Sequence, residues 1–220
     1  MNRAVDDGAV SNAVDRASPP AFRLDNEQLA FRFTATLSDR HGNRLERLPT
    51  PERLDDWLSA NEVRLTLHRA TNAHLEVARE IREVIHRVGT AVAKNEVPRS
   101  SDLGHLNELS RASQTYPELI DGTLRWGSHA DDPVLAALGF VAYDAITVLG
   151  GDLRDHVKAC ENPVCGGLYV DTSRGQNRRW CSMNTCGNRA KKARFRHGAA
   201  GASTPHRRPA DDVSSASATR

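Results

Sequence analysis

The cysteines are the residues whose spacing most directly specifies a chemistry. All four of them, Cys160, Cys165, Cys181 and Cys186, fall in one short stretch of a 220-residue chain. They form two Cys-x4-Cys pairs separated by fifteen residues. Two close pairs joined by a short connector is the pattern of a four-thiolate zinc site. Each pair can bring two sulfurs to one metal, and the connector is long enough for a hairpin that returns the chain to it. One structural zinc ion is the expected cofactor, because four thiolates leave no open position for a reactive water. Two disulfides are disfavoured in a chain whose first twenty residues lack a secretory signal. An iron–sulfur cluster stays open, since the surrounding positive charge suits an anionic cluster.

The second chemical feature is charge. The formal net charge is +2, yet residues 154–197 carry ten Lys/Arg against three Asp/Glu, and from Thr172 to His197 there are eight basic residues and no acidic one. After Cys186 the sequence Asn188-Arg189-Ala190-Lys191-Lys192-Ala193-Arg194-Phe195-Arg196 favours helix. Arg189, Lys192 and Arg196 then share a face, flanked by Lys191 and Arg194. Arg178 and Arg179 lie just before Cys181 and would be fastened near the same metal. Arg178, Arg179, Arg189, Lys191, Lys192, Arg194 and Arg196 are therefore the candidate nucleic-acid-binding residues. The bland alternative is a solvated basic helix. Tyr169 and Trp180 read as the minicore of the metal module, with Phe195 packing the helix onto it and Asn188 as a candidate helix cap.

These residues need elements to hold them. Gly166 to Val170 offers a strand on the connector, and a short charged helix is expected at Asp152 to Ala159. Upstream, Leu29, Phe31, Phe33, Ala35 and Leu37 alternate with polar residues, which predicts a half-buried strand. His41-Gly42-Asn43 is turn chemistry leading to a second strand near Arg44 to Leu48. Thr50-Pro51-Glu52 starts a helix. Helical periodicity runs from about Glu62 to Lys94, and a shorter helix carries Leu103, Leu106 and Leu109. Tyr116 to Trp126 is a hairpin around Asp121-Gly122. Asp131-Asp132-Pro133 begins a last helix that Gly150-Gly151 ends.

The composition is 39% hydrophobic, 5% aromatic and 26% charged, which suits a helical core. The longest apolar run, Val134 to Tyr143, falls short of a membrane span of roughly 20 residues. His68, His74, His86 and His105 have no second ligand one helical turn away, and His74 reads as a hydrogen-bonded structural residue. No nucleophile elbow, glycine-rich phosphate loop or paired-carboxylate spacing stands out, so no catalytic residue is assigned and no enzyme is expected.

The expected fold is α+β and mostly helical. A helical domain with short hairpins over 21–150 precedes a small treble-clef-like or ribbon-like zinc finger over 151–197. Residues 1–20 and 198–220 read as a disordered leader and tail. The charge switch near residue 150 further predicts that the two halves are separable.

Cys186-Gly187-Asn188-Arg189, together with Cys160 to Cys165, Tyr169 to Arg174 and Arg178 to Met183, resembles the CGNR zinc-finger family. Leu29 to Leu37 and Leu48-Pro49-Thr50 resemble, more weakly, the opening of the ABATE domain that accompanies this finger in bacterial proteins. That family often has Asp where this chain has Arg32, and Asn where it has Ala35. The resemblance implies a cytoplasmic, zinc-dependent, DNA-binding transcription regulator with double-stranded DNA as partner. Its N-terminal domain would act as a ligand or stress sensor for an unidentified small molecule. The alternative is a zinc-stabilised protein-interaction or RNA-binding module.

Overall fold

Two long helices form the spine of the molecule. A computed structural model describes residues 19–65 and 67–201, and among these α3 (Asn72–Ala93) and α5 (Pro133–Gly150) carry most of the core. Each begins at a built cap. The Thr71 hydroxyl accepts the His74 amide while the His74 ring accepts the Thr71 amide, and Asp132 accepts the amides of Val134 and Leu135. His74 also bonds Asp132 at 2.9 Å, which ties the starts of the two helices together. It is thus the structural histidine its place in the sequence suggested.

Around this spine lie α1 (Leu29–Thr34), α2 (Pro51–Ala60) and α4 (Ser100–Ala112). Phe31, Phe33, Trp57, Ile81, Ile85 and Leu138 are fully buried between them. The Phe33 and Trp57 rings meet at 4.9 Å. Among the described residues, three antiparallel hairpins decorate the helices. They are β1 (Leu37–Ser38) with β2 (Leu45–Glu46), β3 (Thr115–Ile120) with β4 (Thr123–Ser128), and β5 (Val157–Ala159) with β6 (Leu168–Val170). Asp121 and Gly122 both have positive φ, 50° and 73°, as a primed two-residue turn requires. The fold is α+β and mostly helical, as its composition implied.

Three expectations about elements are corrected. Leu29 to Leu37 is no strand: it is a six-residue helix followed by a two-residue strand. Burial of Ala30, Phe31, Phe33 and Thr34 follows helical spacing. A partner 114 positions away starts this helix, since the Asp144 carboxylate of α5 accepts the Ala30 amide at 2.8 Å. Helix α3 does not begin near Glu62, because Glu62 turns the chain with φ 58° and the Thr71 cap starts the helix ten residues later than expected. Asp152 to Ala159 holds only a 3-10 turn, Arg154–His156, because Val157 pairs across to Val170 and pulls the chain into β5.

The packing also crosses the charge boundary near residue 150. Val157, Leu168 and Val170 belong to the same apolar cluster as Ile85, Val88 and Leu149. β6 approaches α3 so closely at Gly89 that a Cβ there would lie 2.6 Å from Leu168 Cδ1. The expected leader and tail fall chiefly on residues 1–18 and 202–220, which lie outside the described residues. Helix α6 (Asn188–Gly201) runs past 197, where the tail was expected to begin. By length and composition α5 could cross a membrane, with a mean hydropathy of 1.7; here it is packed among α1, α3 and α4.

Candidate metal centre and basic helix

The sequence brings four thiols to one point by two different routes. Cys160 and Cys165 sit in the loop that joins β5 to β6. The Cys160 amide donates to Gly167 O, and the Cys165 amide donates to Asn162 O. Cys181 and Cys186 come from a turn that feeds directly into α6. Ser182 opens that turn, accepting the Thr185 amide on its hydroxyl and the Cys186 and Gly187 amides on its carbonyl. Asn188 does not act as the cap: its side-chain amide donates back to Asn184 O.

The sulfurs of all four lie within 4.8 Å of one another. Cys165 to Cys181 is 3.6 Å and Cys181 to Cys186 is 3.7 Å. A disulfide needs about 2.05 Å. A tetrahedron with zinc–sulfur bonds of about 2.3 Å has edges of about 3.8 Å. The spacing therefore matches four ligands around one zinc ion and excludes paired disulfides in this arrangement. Hydrogen bonds from the neighbouring sulfurs hold the Cys160 thiol well below its ordinary value, the direction a thiolate metal ligand needs. Arg23 Nη2 approaches Cys181 Sγ at 3.5 Å. Burial opposes the charge on Arg23, but the neighbouring Cys181 sulfur outweighs it and holds the guanidinium protonated.

A polar brace supports the connector. Asp171 is buried and accepts from Lys158 Nζ at 2.6 Å, from the Ser173 amide and hydroxyl, and from the Arg178 amide. Burial alone would raise its pKa, but Lys158 and these donors hold it far below the usual carboxylate range. Tyr169, 1% exposed, donates its hydroxyl to Arg178 O.

The seven basic candidates divide into two groups. Arg178 is turned inward, with its guanidinium 4.6 Å over the Tyr169 ring and donating to Trp180 O and Cys181 O. Arg179 pairs with Glu161 at 2.5 Å and lies over Trp180. Arg189 pairs with Asp39 through both oxygens, at 2.9 and 3.2 Å. Lys191, Lys192, Arg194 and Arg196 are exposed on α6, with no ion pair among the described residues. Phe195 is 83% exposed, so it does not pack the helix onto the minicore as expected. Tyr169 and Trp180 do lie against the cysteines.

What sequence reasoning missed is the grip of the helical half on the metal loop. The loop after β1 donates the Arg40 amide to Cys165 O and the His41 amide to Val164 O. His86 Nε2 donates to Gly166 O at 2.7 Å, and Asn26 Nδ2 donates to Leu168 O at 3.0 Å. No local signal marks these contacts, because each joins residues 80 or more positions apart. Burial, with Arg40 beside it, pushes His86 down to about 4, so it stays neutral.

Residues 27–152, more than half of the chain, match the ABATE family model, described as "putative stress-induced transcription regulator". Residues 156–198 match the CGNR zinc finger. Neither description names an enzymatic activity. No curated protein matches the chain.

Proposed function

The chain belongs to the ABATE family, with a CGNR zinc finger at its C-terminal side, and from that premise we propose a cytoplasmic, zinc-dependent regulator that binds duplex DNA through α6. One observation carries this reading: a helix with four exposed cations, none of them ion-paired among the described residues, and no acidic residue is rooted directly in the cysteine cluster. Zinc would fix the start of α6 through Cys181 and Cys186, so metal binding and presentation of the basic face are one event. Lys191, Lys192, Arg194 and Arg196 would meet phosphates or base edges. Arg189 would join them on leaving Asp39. Arg178 would act by holding the turn before Cys181, and Arg179 would contribute at the rim. The N-terminal half would serve as a ligand or stress sensor.

Salt-dependent titration of the zinc-loaded full chain onto duplex DNA tests this. With about five phosphates neutralised, log affinity should fall against log salt with a slope of roughly −4 to −5. Equal and unmeasurably weak binding to every duplex at about 50 mM salt removes the DNA reading. Exposed Phe195 favours one alternative, an RNA-binding or protein-interaction module, since an unpacked ring among cations can stack on an unpaired base. Tighter binding to single-stranded RNA than to duplex DNA selects that alternative.

A further inference from the structure

A groove of about 690 Å³ opens between α1, the turn after α2, β4 and α5. Small-molecule sites are commonly about 300–1,000 Å³, mostly apolar, with a few placed polar groups. One wall here is aromatic: Trp126 of β4 and Phe140 of α5 meet at 4.4 Å, tilted by 46°. The same groove is lined by cations. Arg125 makes no hydrogen bond or ion pair among the described residues, although it faces Glu118 across the hairpin. Arg32 donates only to neutral acceptors, the carbonyls of Asn26 and Glu27 and the side-chain oxygen of Asn61. Two carboxylates also line the groove, Glu62 and Asp144; Asp144 accepts the Ala30 amide and feels the charge of Arg32, and the lining as a whole carries three arginines, Arg32, Arg64 and Arg125, against these two acids.

We propose that this groove binds a small amphipathic anion, its ring body against Trp126 and Phe140 and its carboxylate, sulfonate or phosphate group at Arg125 and Arg32. A guanidinium is suited to a planar or tetrahedral oxyanion, which it can meet with two parallel N–H donors. An aromatic wall adds affinity without specifying one ring system. The proposal deepens the sensor half of the function above and gives it a ligand class. It does not require that α6 bind DNA.

The test uses two dyes with the same aromatic body and the zinc-loaded full chain without DNA. 8-Anilinonaphthalene-1-sulfonate is the anionic probe and N-phenyl-1-naphthylamine the neutral one. The sulfonate should bind saturably, one per chain, and about tenfold or more tighter than the amine. Arg125 is exposed, so Arg125→Ala should melt with the parent chain yet lose about tenfold in sulfonate affinity, with the amine unchanged. Arg125→Lys should fall between them, and Lys94→Ala, on an exposed site outside the groove, should bind as the parent does. Equal affinity for both dyes, an unchanged Arg125→Ala, or no saturable sulfonate binding overturns the proposal. Dye binding with no DNA binding keeps the groove and removes the DNA reading; DNA binding with no dye binding does the reverse.

Discussion

Single side chains decide whether the metal module holds. Replacing Cys181, 5% exposed and 3.6–3.7 Å from two other sulfurs, with Ser should abolish stoichiometric zinc, read by elemental analysis. Retention of one zinc per chain by that variant would show that three sulfurs suffice. Arg189 and Asp39 give a sharper test of the DNA reading. Because their ion pair is exposed, it contributes little to stability. Asp39→Asn, which tolerates the positive φ of 50° at that position, should therefore leave melting almost unchanged but free Arg189 and strengthen duplex binding by a few-fold, while Arg189→Ala weakens it and lowers the salt slope by about one. If both variants bind like the parent chain, Arg189 has no part in the interface.

His86 supplies a pH dependence with a definite sign. Its folded-state pKa is about 4, against 6.5 for a free side chain. The neutral ring therefore favours the folded state fully above about pH 6.5, and this advantage disappears as pH falls from 6.5 to 4, a loss of about 3 kcal/mol. The His86→Gln chain, which keeps a donor for Gly166 O, should show a flatter melting profile across that window. Glu46, Glu83 and Asp171 are also held low by their cationic partners, so both chains still lose stability in acid. Identical profiles would mean that His86 titrates normally.

Elements meet where side chains are missing. α4 and α5 cross at Gly139, where a Cβ would lie 2.5 Å from both Leu109 O and Ser113 Cβ. Ala is the better helix former by about 1 kcal/mol. The contact is with backbone, which cannot rotate away, so overpacking of about 1–3 kcal/mol should win and Gly139→Ala should lower the melting temperature. A rise in melting temperature would mean that the two helices can separate at little cost. The hairpins show the same logic at another scale. Arg82 grips Glu46 of β2 through both oxygens at 2.7 and 2.8 Å, and this fastens the β1–β2 hairpin, whose loop touches the metal site, onto α3.

At the scale of the molecule, the finger and the helical half share a face. Charge alone divides the chain near residue 150, but burial of Val157, Leu168 and Val170 against α3 and α5 runs across that line. A chain ending near residue 150 would expose Val88, Gly89 and Leu149 to water. It should retain helical circular dichroism but melt at lower temperature and expose apolar surface, read by aggregation on heating. Melting identical to the full chain would establish two independent halves. Chelation of the metal in the full chain should loosen β5, β6 and α6 first, read by hydrogen exchange across 157–196.

The sequence by itself determined the metal set, because ligand spacing is a local property and thiolate chemistry leaves few choices. It also determined the tight turn at Asp121-Gly122, the start of α5 at Asp132-Pro133 and the helical nature of the segment after Cys186, since caps, primed turns and propensity act within a few residues. The family resemblance was legible on the same cysteine-rich stretch. Tertiary structure alone decided what depends on distant partners. Asp144 turned an alternating segment into α1, and Val170 drew Val157 out of a helix. Contacts also sorted the basic residues, turning Arg178 inward, pairing Arg179 with Glu161 and Arg189 with Asp39, and leaving four cations on α6 exposed. The groove between Arg32, Arg125, Trp126 and Phe140 was equally invisible in the sequence, because its walls come from four elements that only packing brings together.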